Sequence, residues 1–189
     1  EGVIDADEED TATAIGTVVI FGTLMIPLVP LAAYGMGLSD EVAGLWAGGA
    51  IHEVAQVVAA GGMIGGGALT LAVVVKLARV MMLAPIVTVL SIRQRRITGN
   101  AGKRPPIVPM FIIGFVAFAV IRSLGILPDA AIEVGKFAQV ALLTIAMAAL
   151  GLGVRVQVMR AVGWRPFVQA ALTTVVVAGI ALGGVLLFG

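Results

Sequence analysis

The sequence contains no cysteine, and only 12% of its 189 residues are charged, about half the share that a soluble domain usually carries. Without cysteine the chain cannot form disulfides or use thiolate chemistry, and its composition does not indicate an oxidising or a reducing compartment. The formal net charge of +1 gives no reason to expect a nucleic-acid partner. With 60% hydrophobic residues and a mean hydropathy of +1.10, the few polar groups could not cover the surface of a soluble protein. The composition therefore predicts a membrane protein.

Six apolar segments approach the roughly 20 residues that a membrane-spanning helix requires. Backbone amides in hydrocarbon must bond internally, so we expect an all-α, polytopic fold with about six transmembrane helices. An acidic loop at residues 1–11 precedes the helical domain at residues 12–189, whose segments are 12–34, 42–60, 68–92, 107–127, 134–153 and 167–188. The chain starts without methionine or signal peptide, as expected for the middle of a longer protein.

Basic residues are concentrated in two of the predicted loops, at residues 93–104 and 154–166. The positive-inside rule places both loops in the cytoplasm. The acidic start of the chain then lies outside if segment 42–60 crosses the membrane, and inside if that segment is re-entrant. The sequence leaves both alternatives open.

A small polar cluster interrupts the second and third apolar segments, where a charge costs roughly 3 kcal/mol on insertion scales. The stretch AIHEVAQ contributes His52, Glu53 and Gln56, and the third segment contributes Lys76 and Arg79. If these segments form a hairpin through GGMIGGG, Glu53 and Lys76 lie at similar depth, about 12 to 14 Å from the turn at ~1.5 Å per residue. We therefore predict that Glu53 contacts Lys76 or Arg79 and that His52 faces the protein interior. The alternative is an ion pair that only fixes helix packing.

The stretch HEVAQ also differs by one residue from the zinc signature H-E-x-x-H. Gln56 replaces the second histidine, and the chain has no histidine besides His52 and no cysteine. A catalytic zinc needs three protein ligands, so this chain alone is not expected to hold one. We predict no metal, no cofactor and no enzymatic activity.

Several stretches carry a resemblance to a known family: GLWAGGAIHEVAQVVAAG, VVKLARVMMLAPIV, LLTIAMAALGLGV and VGWRPFVQA. They resemble the YeiH-type family of bacterial inner-membrane proteins, for which sulfate export has been inferred. The resemblance covers nearly the whole chain and implies a longer multi-pass protein. Its first half would carry a C-G-x-S-A-I motif that is absent here, so the chain corresponds to the C-terminal portion and the N-terminal half is missing.

The resemblance also implies an architecture, because the family is distantly similar to sodium/bile-acid symporters and sodium/proton antiporters with two inverted five-helix repeats. Segment 12–34 would end the first repeat, and the remaining segments would form the second. The fourth helix of that repeat, 134–153, would be interrupted near Gly151 and Gly153. Amide groups freed at such a break suit an anion, and the alternative is the plain glycine-rich end of a helix.

These observations lead us to expect a secondary transporter of the bacterial inner membrane that exports a small anion such as sulfate. The candidate pathway residues are His52, Glu53, Gln56, Lys76, Arg79, Gly151 and Gly153. The expected partners are the lipid bilayer, the anion, a proton or sodium ion, and a second copy of the chain in a homodimer. The alternative is a membrane protein of another role whose buried polar cluster is structural.

Overall fold

A computed structural model describes residues 8–98, 110–153 and 163–188, which are helical except for short connections. The helices are α1 (Glu8–Gly35), α2 (Asp40–Ala50), α3 (Val54–Ile64), α4 (Ala68–Met81), α5 (Leu83–Thr98), α6 (Met110–Ser123), α7 (Asp129–Gly153) and α8 (Arg165–Phe188). The all-helical prediction is confirmed for these residues. The inverted repeat stays a prediction.

Three helical stretches in the described residues are long and apolar enough to cross a membrane: Asp10–Gly35, Ala68–Leu90 and Arg165–Phe188. Many large apolar side chains on the helices point outward; Phe118 is 73% exposed and Phe137 is 78% exposed. A water-soluble protein rarely exposes apolar surface on this scale, whereas lipid is a suitable solvent for it.

The chain divides into two compact units. One includes Val80–Ile145, and the other includes Asp7–Arg79 and Ala146–Gly189. The second unit, called the larger unit below, contains α1, α2, α3, most of α4, and α8. All five polar candidates of the second and third apolar segments belong to this unit.

The second apolar segment is two short helices rather than one. Helix α2 ends at Ala50 and α3 begins at Val54, and the three residues between them are not helical. Ile51 and Glu53 have extended backbones, with ψ angles of 146° and 152°. Each helix has 11 residues and is therefore about 16 Å long at ~1.5 Å per residue, roughly half of a 30 Å hydrocarbon core.

Helices α2 and α3 run in opposite directions and form a helical hairpin. The side chain of Asp40, at the start of α2, lies against Gly66 in the turn that follows α3. The outer ends of the two helices therefore meet on one side, and residues 51–53 form the tip of the hairpin. This geometry favours the re-entrant alternative for segment 42–60.

Helix α4 lies directly against α2, with glycine at the points of contact. A Cβ atom at Gly44 would lie 2.6 Å from the Cα of Ala68, and one at Gly48 would lie 2.9 Å from the Cβ of Val75. Both distances are too short for a side chain, so the two backbones approach closely only because glycine occupies these positions. Gly44 and Ala68 mark the outer end of this contact, and Lys76 lies two turns further along α4, level with the tip.

The core of the larger unit surrounds the hairpin. It is built from small and branched apolar side chains of α1 to α4, which α8 covers with Ala178, Ala181 and Leu182. The buried residues are Met25, Val29, Ala33, Ala43, Trp46, Ala47, Ala50, Ile51, Val57, Ala60 and Ala72. Other helices enclose the hairpin on several sides. Protein therefore shields its non-helical tip from lipid.

Two other segment predictions differ from the structure. The segment 68–92 is divided at Met82 into α4 and α5. Helix α7 is continuous from Asp129 through Gly153, so the interruption expected near Gly151 does not occur within it. Residues 154–162, and residues 99–104 of the basic loop 93–104, lie outside the described residues.

Candidate functional site

The two bases of α4 donate hydrogen bonds to the carbonyl end of α2. The Lys76 Nζ atom lies 2.5 Å from the carbonyl oxygen of Ile51, and the Arg79 Nη1 atom lies 2.5 Å from that of Gly49. The last carbonyls of a helix have no partner within the helix and carry its partial negative charge. Lys76, which is 5% exposed, and Arg79 therefore cap the end of α2 from a neighbouring helix.

The predicted ion pair between Glu53 and these bases is not formed. Among the described residues, Lys76 and Arg79 bond main-chain carbonyls, and the Oε2 atom of Glu53 has no hydrogen-bond partner. The prediction was wrong because the broken helix exposes carbonyl groups that compete for the same cations.

His52 and Trp46 connect the hairpin to α8. The Nε2 atom of His52 is 2.8 Å from the hydroxyl of Thr174, and the indole Nε1 of Trp46 donates to the carbonyl of Ala178 at 2.9 Å. The two positions on α8 are one helical turn apart, so the tip and the last part of α2 contact the same face. The prediction that His52 faces the protein interior is confirmed.

Glu53 and Gln56 occupy the beginning of α3, at its N-cap and in its first turn. The Glu53 side chain makes no capping hydrogen bond. Gln56 is fully buried; its Nε2 donates to the carbonyl of Val19 on α1 at 3.5 Å, but its Oε1 has no partner within the described residues. Gly22 on α1 leaves the space for this amide, because a Cβ atom there would overlap it. Two acceptor oxygens are thus buried without a donor beside the tip.

The structure brings together the five polar candidates at or beside the tip, and Gly151 and Gly153 belong to the last turn of α7. Sequence reasoning missed the partners Thr174, Trp46 and Gly22. Trp46 gave a usable signal, since a buried indole N–H needs an acceptor. Thr174 and Gly22 gave none, because small residues of these types are common in membrane helices.

In the ranges that the structure describes, no three histidine, aspartate or glutamate side chains gather closely enough to bind a metal ion. The tip instead combines a histidine, a carboxylate, two capped carbonyls and the positive end of α3, an arrangement that can bind an ion or exchange a proton.

The helices and their apolar surface define a multi-pass membrane protein. Residues 1–170 match the family described as Conserved hypothetical protein 698, and the chain belongs to this family. It is 59% identical over 189 residues to a UPF0324 membrane protein of Corynebacterium glutamicum, covering 99% of this chain and 55% of that protein. It is 39% identical over 189 residues to the UPF0324 inner membrane protein YeiH of Escherichia coli, covering 97% and 53%. A UPF0324 membrane protein of Brucella suis is 35% identical over 192 residues, covering 99% and 56%.

These relatives confirm the family resemblance and the membrane location. The chain spans about half the length of the curated relatives that it matches. No solved structure matches the chain.

Proposed function

We propose that the full-length protein is a secondary transporter for a small anion in the bacterial inner membrane, and that the tip of the α2–α3 hairpin lies on its transport pathway. The observation that carries the proposal is the interrupted helix with a polar tip inside an apolar helical unit. Irregular backbone at membrane depth is tolerated only where it is buried in protein or lines a wet cavity. Transporters use such interruptions to present helix ends and main-chain groups to their cargo.

The charges at the tip support an anion as the cargo. Lys76 and Arg79 contribute two positive charges, whereas Glu53 contributes at most one negative charge. The first amide groups of α3 add a partial positive charge at the same place, since they lack acceptors within the helix. An anion such as sulfate would find donors and a positive potential there.

His52 and Glu53 would couple the anion to a proton or another cation. Both side chains can change charge, and ionisable residues at membrane depth commonly belong to ion or proton pathways. His52 bridges the tip and α8, so a change in its charge would act on the contact between the hairpin and that helix.

The second candidate is a structural role for the polar cluster in a membrane protein of another function. The carbonyl bonds of Lys76 and Arg79 favour it, because they are sufficient to explain why two bases are present in α4. In the described residues, the Glu53 side chain makes no capping hydrogen bond and its Oε2 has no partner. The two candidate functions therefore differ in whether transport depends on Glu53.

Transport by the full-length protein in proteoliposomes tests the proposal. We expect uptake of labelled sulfate or another small anion to respond to an imposed pH or sodium gradient. Glu53→Gln should abolish or uncouple this transport while the protein remains inserted, and Glu133→Gln, which changes an exposed carboxylate on α7, should not. Normal transport by Glu53→Gln would contradict the proposal. Loss of that variant from the membrane would favour the structural role.

A further inference from the structure

Two buried acceptor oxygens at the beginning of α3 have no donor within the described residues: Oε2 of Glu53 and Oε1 of Gln56. Glu53 is the N-cap of α3, Gln56 follows three residues later in its first turn, and the Gln56 oxygen lies against Gly22 of α1. Both atoms can only accept hydrogen bonds when the carboxylate is ionised. Leaving a buried acceptor without a donor is unfavourable, so a positive charge that reaches these two oxygens is stabilised there.

The neighbouring bases do not supply that charge by contact. Lys76 donates to Ile51 and Arg79 donates to Gly49, both on the α2 side of the break. His52 is directed to Thr174 on α8. Among the described residues, the other helices packed on the hairpin offer no further base, because α1 has no charged residue between residues 11 and 35 and α8 has none between residues 166 and 188.

We infer that Glu53 and Gln56 together bind one positive charge, either a proton or an alkali-metal cation. A proton on Oε2 of Glu53 would donate to Oε1 of Gln56 and satisfy both atoms at once. A sodium or potassium ion would be coordinated by the same two oxygens, which are hard ligands of the kind that such ions prefer. In the proposed transporter this charge is the coupling ion, and that role alone rests on the proposed function.

Thermal melting of the purified full-length protein tests the inference without any transport measurement. One series replaces choline chloride with sodium, potassium or lithium chloride at constant ionic strength and about pH 8.5, where a free carboxylate is ionised. A second series lowers the pH to about 5 in choline chloride alone. A cation site predicts a saturable rise in melting temperature in the first series, and a proton site predicts a rise in the second.

Variants assign the effect to the two residues. Glu53→Gln should remove the cation response or flatten the pH response, and Gln56→Met should weaken cation affinity at least about tenfold or shift the pH response. The matched controls Glu133→Gln and Gln169→Leu change exposed side chains of the same types and should behave like the wild type. If Glu53→Gln does not fold, Glu53→Asp and Gln56→Met provide the comparison.

The inference is overturned if the wild-type protein responds to neither alkali cations nor pH. It is also overturned if Glu53→Gln keeps the full response, or if a pH response disappears in His52→Gln instead. A cation or proton response at Glu53 without any anion transport would leave this inference standing and remove the proposed function.

Discussion

Replacing Lys76 with methionine separates a helix-capping role of this residue from an ion pair with Glu53. Lys76 is 5% exposed, and its ammonium lies 2.5 Å from the carbonyl of Ile51, a residue that is fully buried. A hydrogen bond from a charged donor is worth about 1.5–3 kcal/mol, and a buried acceptor left alone costs about 1–3 kcal/mol. Methionine has a similar length and fills the apolar space. We therefore expect Lys76→Met to lower the free energy of unfolding by about 2 kcal/mol.

The decisive measurement is a double-mutant cycle with Glu53→Gln. If Lys76 caps α2, the two substitutions act on different groups, and their effects should add to within about 0.5 kcal/mol. If the two residues form an ion pair, Lys76→Met alone should cost about 3–5 kcal/mol, because it leaves a buried carboxylate without its partner. Glu53→Gln would then recover much of that loss.

The assay is unfolding of the purified full-length protein in mixed micelles by a denaturing detergent, checked by thermal melting. Lys136→Met is the matched control, since Lys136 is exposed on α7 and its loss should have little effect. A coupling energy above about 1 kcal/mol between Lys76 and Glu53 would refute the capping interpretation, because additive behaviour is expected only for residues that share no contact. An unchanged stability in Lys76→Met would refute it as well.

Three further predictions concern the hairpin. Single cysteines at Ser39 and Gly67, in a full-length background without other cysteines, should both react with an impermeant thiol reagent from outside, whereas a spanning segment would place them on opposite sides. Gly44→Ala should destabilise the protein by about 1–3 kcal/mol, because the added Cβ meets the α4 backbone. Gly62→Ala is the control: no atom lies within 4 Å of a Cβ there, so it should be neutral or stabilising by up to about 1 kcal/mol. Equal melting temperatures of the two variants would contradict this prediction. Trp46→Phe should cost about 1 kcal/mol through loss of its bond to α8, and unchanged detergent unfolding would argue against that bond.

The membrane class, the helical content and most segment positions could be predicted from the sequence because they depend on composition and on the length of apolar runs. The polar candidates could also be found, since a histidine or charge within an apolar segment stands out and must have a partner. His52 illustrates the limit of this reasoning. Its inward orientation could be predicted, but its partner Thr174 lies 122 residues away on a helix with no distinguishing pattern.

The position of the helix break could not be predicted, because the residues at the break carry no local signal for it. The tip contains neither glycine nor proline, and a sequence of isoleucine, histidine and glutamate is compatible with a continuous helix. The bonds that stabilise the free carbonyls come from Lys76 and Arg79, which are 25 and 30 residues away. The glycine-rich end of segment 134–153 had the stronger local signal, yet that helix is regular through Gly153.

Lys76 and Arg79 could cap α2 and still take part in transport, but the capping bonds change how these two bases would bind an anion. An ammonium has three N–H donors and a guanidinium has five, and one donor of each is directed to a carbonyl of α2. A base held in this way has lost much of its rotational freedom before any ligand arrives, so a ligand that uses its other donors meets a preorganised charge. The same bonds tie each base to the hairpin, so an anion at the tip would act on the backbone break itself. Acceptor oxygens on the α3 side and anchored donors on the α2 side would then let one short tip bind a cation and an anion together.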